Sequence, residues 1–297
     1  MPEARVSAAF ATASAAAARR ADRRAACGLW GAAVLVTAAF AWLLGDVVRQ
    51  GIAAWSWEFL TAAPRNAGRA GGIAPILVAT AWILAVCMAV ALPIGLGTAV
   101  LLAETTDRDR WFGRLVRRSL DVLAGVPSIV FGLFGNALFC RILGLGFSIL
   151  SGGLTLACMV LPIVIRTAEE ALRAVPAELR TTSAALGLGR TATLCHVLLP
   201  MAAPGLLAGW VLGVGRAAAE TAALLFTSGY VDRMPGSVLD SGRALTVHLY
   251  DLAMNVPGGN EAAYGSALVL VTLLLAINLT ASWLAGRWLP HRTRSRA

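Results

Sequence analysis

The sequence predicts an all-α, polytopic membrane protein with six transmembrane helices, and three observations carry that prediction. Hydrophobic residues make up 58% of the 297 and charged residues only 14%, with a mean hydropathy of +0.73, a composition outside that of soluble domains. Six runs with few or no charges lie at roughly 27–45, 73–101, 122–140, 144–165, 201–226 and 262–285, each able to cross a hydrocarbon core about 30 Å thick. The permanently cationic side chains are all arginines, and they are shared unequally between the segments that join these runs.

The first run comes after Arg19, Arg20, Arg23 and Arg24, the order of a secretory signal. Its 19 uncharged residues before Asp46 exceed the usual apolar stretch of a signal and favour a retained anchor. Residues 1–26 are basic and alanine-rich and are expected to form a loosely ordered cytoplasmic tail. Residues 27–58 then hold the first span and the start of an outer loop, ahead of a transmembrane core over 59–286 and a basic tail over 287–297. The second run is overlong, and Pro93, Gly95 and Gly97 predict a bend or fraying near its end. The third opens on Gly125-Val-Pro-Ser-Ile-Val-Phe-Gly-Leu-Phe-Gly135. Pro127 there lacks a backbone N–H and loosens a span, while the glycines permit close backbone approach. Two readings stand for this stretch, a moving segment along a path or a packing kink. In the fifth run Gly205, Gly209 and Gly213 recur at every fourth position, a small-residue stripe that predicts contact with another helix, in this chain or a partner, with a path-lining role as the alternative. Asn278-Leu-Thr280 matches a glycosylation pattern, but its place inside the last apolar run makes modification there implausible.

With the N-terminus inside, eighteen arginines fall on inner segments and six on outer ones, leaving Arg216 within a span. This bias turns both ends toward the cytoplasm of a bacterial inner membrane. It also accounts for the formal charge of +9 as topology rather than nucleic-acid binding. The outer segments 46–72 and 228–261 contain Trp55, Trp57, Phe59, Tyr230 and Tyr250, read either as interfacial anchors or as partner contacts.

The absence of lysine excludes Schiff-base chemistry and the lysine of a phosphate-binding ATPase loop. Cys27, Cys87, Cys140, Cys158 and Cys195 are scattered singly and lack metal or dithiol spacing. His196 likewise has no nearby metal-ligand pattern. No catalytic residue, metal site or cofactor is expected, and the chain is read as a non-enzyme.

The candidate chemistry lies where Arg216 and Glu220 stand four residues apart inside an apolar run, because polar groups there are costly to bury and mark a path or a structural pair. A fixed arginine can replace part of the water shell of an oxyanion with directional, charge-assisted hydrogen bonds. Glu220 then either holds Arg216 in place or repels the anion and prevents tight trapping. A purely structural pair remains the alternative. Pro127, Ser128 and Thr227 complete the candidate path, although Thr227 and Ser228 are also suited to satisfying a helix end.

Between the fourth and fifth runs, residues 169–200 do not read as an ordinary connection. Glu170, Leu172, Val175, Leu179 and Leu186 keep helical periodicity, Pro176 starts a fresh turn, and Gly187 and Gly189 interrupt the helix beyond it. Two short helices with a turn near the glycines are expected. The spacing from Thr181-Thr182-Ser183 to Gly187 and on to Val197-Leu198-Leu199-Pro200 resembles the cytoplasmic loop of ABC-importer permeases, in which Glu-Ala-Ala precedes the glycine. The resemblance implies a coupling loop that docks on an ATPase subunit, carried here by Glu170, Pro176, Thr181, Thr182, Ser183, Gly187, Leu199 and Pro200. Thr181-Thr182-Ser183 departs from Glu-Ala-Ala and removes one acidic contact, leaving Thr181 able to cap the next helix.

The stretches 125–135 and 216–229, with Phe59-Leu60-Thr61, Pro64, Gly71-Gly72-Ile73 and Pro93-Ile94-Gly95-Leu96-Gly97, closely resemble phosphate-importer permeases of the PstA type. The resemblance implies the ABC importer type I permease fold and a phosphate path. It also implies a PstC-like second permease, a PstB-like ATPase dimer and a PstS-like phosphate-binding protein outside. Arginine meets other tetrahedral anions equally well, so sulfate or molybdate stays open on chemistry alone. An ion-coupled secondary transporter is expected to show internal repeats, and no convincing duplicate pair of spans is evident.

Overall fold

The computed structural model describes the backbone of residues 3–106 and 111–288 and the side chains of residues 22–106 and 111–283. The C-terminal tail lies outside the described residues from 289 onward. The chain divides into two units, Met1–Gln50 and Gly51–Ala297.

The first unit is occupied by α1, Glu3–Ala54, which continues a few residues into the second. Its apolar part, Asp22–Ala54, is long enough to span. Where a loosely ordered tail was expected, the backbone is helical from Glu3, in keeping with alanine being the strongest helix former.

In the second unit, α2 (Trp57–Thr61) is capped by the Ser56 hydroxyl, which accepts from the Phe59 N–H. A short hairpin comes next, with β1 (Pro64–Arg65) antiparallel to β2 (Ala70–Gly71). Phe59 is only 7% exposed and packs with Ile73, Ile76, Leu245 and Val269. It is therefore a core residue, whereas Trp57, 80% exposed, keeps the interfacial reading open.

The long helix α3 (Ala74–Val100) has Pro75 in its first turn, where a missing N–H costs nothing. It runs through Pro93 and extends as a π turn over Leu101–Thr105. The irregularity expected at Pro93 thus lies past the glycines, at the helix end. α4 (Trp111–Ala124) and α5 (Ser128–Gly135), the latter extended by a π turn over Asn136–Ile142, meet at a bend of 100°. The run read at 122–140 is accordingly the second limb of a broken pair. Pro127, at the head of α5 with φ −59° and ψ 140°, breaks the helix at the elbow.

The central helix is α6 (Ile149–Arg173), which packs along α3 on one side and along α9 (Leu199–Ala218) on the other. It starts at Ile149 rather than near 144 because Ser148 caps it through the Ser151 N–H. Between α6 and α9 lie α7 (Ala177–Ala185) and α8 (Arg190–Thr193), the latter leading through a π turn at Leu194–Leu198. After α9 come α10 (Ala222–Leu225), α11 (Leu245–Met254) and α12 (Asn260–Trp288). Among the described residues five helices are long and apolar enough to cross a membrane, and the count is six when the bent α4–α5 pair is taken as one span.

The largest core cluster gathers Ile83 and Cys87 of α3, Leu156 and Val160 of α6, Ala217 of α9, Leu224 of α10 and Val247 of α11. The glycine stripe of α9 lies against α6. A Cβ at Gly205 would sit 2.6 Å from the Ala171 Cβ, one at Gly209 would overlap Thr167, and one at Gly213 would meet Val164 at 3.1 Å. Small residues let the two backbones approach where any larger side chain collides.

Candidate functional site

The fifth apolar run does not continue as one helix to 226. α9 ends at Ala218, and residues 219–221 break the span before the single turn of α10. Two groups hold the break. The Thr246 hydroxyl on α11 donates to the Glu220 carbonyl at 2.6 Å, and the Glu220 side chain accepts from the Ala223 N–H at 3.4 Å. Non-helical backbone at membrane depth is tolerated where such partners satisfy it.

Arg216 is in the last turn of α9 and Glu220 in the break, with Arg216 Nη1 2.8 Å from Glu220 Oε2. Their side chains differ sharply in exposure, 44% for Arg216 and 4% for Glu220. The carboxylate is thus a buried anchor, and the guanidinium is partly exposed with donors left over. A guanidinium fixed at one edge by a buried carboxylate is prepared to accept an oxyanion at the other.

The other path candidates separate. α5 packs on α10, with Gly132 so close to Ala223 that a Cβ there would lie 2.9 Å from its Cα, and Asn136 Nδ2 donates to the Phe226 carbonyl at 2.7 Å. Pro127 is exposed and Ser128 half-buried at the start of this helix. Thr227 and Ser228 are fully buried, and their hydroxyls donate to the carbonyls of Ala223 and Leu224. Those hydroxyls satisfy a helix end in this conformation.

The 169–200 segment forms two short helices. Pro176 heads α7, and Gly187, at φ +75°, takes the left-handed conformation that L side chains rarely adopt. Leu186 beside it is 74% exposed. Thr181 and Thr182 are exposed, but Thr181 lies inside α7 with its hydroxyl on the Glu178 carbonyl, so it does not cap a helix. Ser183 is buried and donates to the Leu179 carbonyl. Glu170 and Pro200 are exposed and Leu199 is half-buried. His196 contacts the Ala192 carbonyl within its own turn.

Sequence reasoning missed the residue that ties this loop down. Arg180 Nη2 and Nε reach the two carboxylate oxygens of Glu104 at 2.7 and 3.2 Å, while the same guanidinium donates to the Val175 and Leu172 carbonyls. One side chain therefore joins α7, the end of α6 and the end of α3. The lone acid at the close of the second apolar run, Glu104, was the available signal, but its partner lies 76 positions away. A second tie, also missed, has Glu169 accepting from Arg117 at 2.9 Å and from Arg173 at 2.9 Å. Its Glu169–Arg173 half has the same four-residue spacing as Arg216 and Glu220. Among the described residues no cluster of His, Cys, Asp or Glu has metal-ligand geometry.

Residues 91–294 match the family described as the binding-protein-dependent transport system inner membrane component. The chain is 32% identical over 282 residues to a probable ABC transporter permease protein, YqgI, of Bacillus subtilis, covering 90% of this chain and 96% of that one. It is 36% identical over 250 residues to the phosphate transport system permease protein PstA 1 of Mycobacterium tuberculosis, covering 81% of each. Among solved structures, inward-facing MetNI methionine ABC transporter superposes with a TM-score of 0.57 at 19% identity, over 73% of this chain and 97% of that one. That similarity shows the fold, the type I ABC importer permease.

Proposed function

This chain belongs to the binding-protein-dependent transport system inner membrane component family, and on that premise we propose that it is a membrane-spanning permease subunit of an ATP-driven phosphate importer. The observation that carries the path is the half-exposed Arg216 guanidinium held by the buried Glu220 carboxylate at a broken span. Support for phosphate as cargo comes from the relatives named phosphate transport system permease protein PstA. Pro127 and Ser128 line the same path from the head of α5, and Thr227 joins it when α10 shifts.

On this reading both termini face the cytoplasm, as the arginine bias indicates. A PstC-like permease completes the path, a PstS-like binding protein delivers phosphate outside, and two PstB-like ATPases supply the stroke. The loop 169–200 receives it through the exposed surface around Leu186 and Gly187. The Arg180–Glu104 tie passes the displacement to α3 and α6, and the Gly205–Gly209–Gly213 contact passes it to α9. Opening the far ends of these helices changes access to Arg216.

The test is vectorial phosphate uptake, together with phosphate-dependent ATP turnover, by the reconstituted assembly. Wild type should show both. A charge-assisted hydrogen bond is worth about 1.5–3 kcal/mol, so Arg216→Ala should lower uptake roughly tenfold to a hundredfold with the assembly intact. Undiminished uptake in that variant would sink the direct role of Arg216. A response to sulfate or molybdate but not phosphate would overturn the cargo and leave the architecture standing.

A further inference from the structure

Two stripes of charge face one another away from the Arg216 site. On α4, Arg114, Arg117, Arg118 and Asp121 keep the spacing of a single helix face, and on α6, Arg166, Glu169, Glu170 and Arg173 repeat it. Together they line a cavity of about 430 Å³. Five arginines meet three carboxylates, so the cavity carries an excess of positive charge.

The pairing leaves that excess in identifiable places. Glu169 is shared between Arg117 and Arg173, and Asp121 pairs with Arg166. Arg114 and Arg118 have no partner among the described residues, while the remaining acid, Glu170, is exposed and also unpaired there. The buried Nε of Arg166 has no acceptor.

A second cavity, of about 350 Å³, lies further along the same two helices and past the elbow. Leu123, Val130, Phe134 and Leu161 are among its lining side chains, all of them apolar. Leu161 precedes Arg166 by five residues on α6, roughly 7.5 Å of helix rise. The outward face of α4 carries Trp111, Leu115 and Val122 at 71%, 53% and 72% exposure. A helix that is apolar on one face and arginine-rich on another, set at 100° to the next crossing, has the character of a helix lying in the membrane interface. The arginine bias assigns this level to the cytoplasmic leaflet.

We propose that the α4–α6 cavity binds the phosphodiester headgroup of an anionic phospholipid, with an acyl chain in the apolar groove beyond it. Arg114 and Arg118 receive the phosphate oxygens, and Glu170 at the rim disfavours lipids with a second negative charge on that side. The site requires only that the chain spans the membrane, so it stands independently of the cargo.

The experiment is native mass spectrometry and thermal melting of the delipidated transporter in detergent. Phosphatidylglycerol, phosphatidylcholine and inorganic phosphate serve as separate probes, with no nucleotide or binding protein present. Wild type should retain and be stabilised by phosphatidylglycerol but not phosphatidylcholine. The R114Q/R118Q variant, which alters exposed and unpaired side chains, should bind it roughly tenfold more weakly or less, while R233Q should bind as wild type does. Equal binding in R114Q/R118Q, equal binding of phosphatidylcholine, or no lipid binding overturns the proposal. Inorganic phosphate that gives the same stabilisation and displaces the lipid also overturns it and assigns the cavity to the free anion.

Discussion

Arg216 and Glu220 have a spacing that fits two roles, and the break in the helix separates them. On an uninterrupted helix both side chains would lie on one face with comparable exposure. Ending α9 at Ala218 instead buries Glu220 and leaves Arg216 half open. A second residue-scale consequence concerns His248, which is fully buried on α11. Burial, then the neighbouring Arg243 guanidinium, pushes its pKa down from 6.5 to about 4, against the smaller opposing pull of Asp251 and Asp232. Arg243 is in turn paired with Asp251 at 3.2 Å. Because the folded value lies below the unfolded one, the neutral ring contributes stability above about pH 6.5. That contribution is lost as pH falls toward about 4. The melting temperature of the purified protein should therefore drop across this interval, and His248→Asn should flatten the dependence. A wild-type melting temperature that does not change between pH 7 and pH 4.5 rules this out.

At the scale of elements, the loop 169–200 and the contact between α6 and α9 give separable failures. Arg180→Ala removes the tie between α7 and Glu104 but leaves the loop surface in place. ATP hydrolysis by the assembly should persist while uptake falls roughly tenfold, the consequence of losing one charge-assisted contact. Loss of both in proportion would mean that Arg180 serves only to dock the ATPase. Gly209→Val acts differently, since the new side chain overlaps Thr167. Overpacking costs about 1–3 kcal/mol, so the protein should melt at lower temperature before any effect on coupling is read. Hydropathy made the five long crossings and the 122–140 limb legible in the sequence, and periodicity with Pro176, Gly187 and Gly189 did so for the two short loop helices. The starts and stops were legible only in part, because distant groups set them. Ser148, Ile149 and Leu150 donate their backbone N–H groups to Thr227, Asp240 and Val238, and Thr246 ends α9. Local composition carries no trace of such partners. Pro127 announced a kink but not its 100° size.

For the whole molecule, the arginine bias and the fold make one prediction about sidedness. Cys195 is exposed at the base of the loop 169–200, while Cys87 and Cys140 are buried. A membrane-impermeant maleimide added to right-side-out vesicles should leave Cys195 unlabelled until the membrane is opened. Labelling from outside would invert the topology. The second limb of the bent pair, α5 with its π turn, has an electrical meaning as well. Its 8 and 7 residues rise no more than about 22 Å, less than the roughly 30 Å of a hydrocarbon core. If the insulating layer thins beside this limb, the resting voltage falls over a shorter distance there and the local field is steeper. An anion drawn inward against a negative interior costs about 2.3 kcal/mol per charge per 100 mV. On the proposed path, much of that work is then concentrated in one brief passage beside α5.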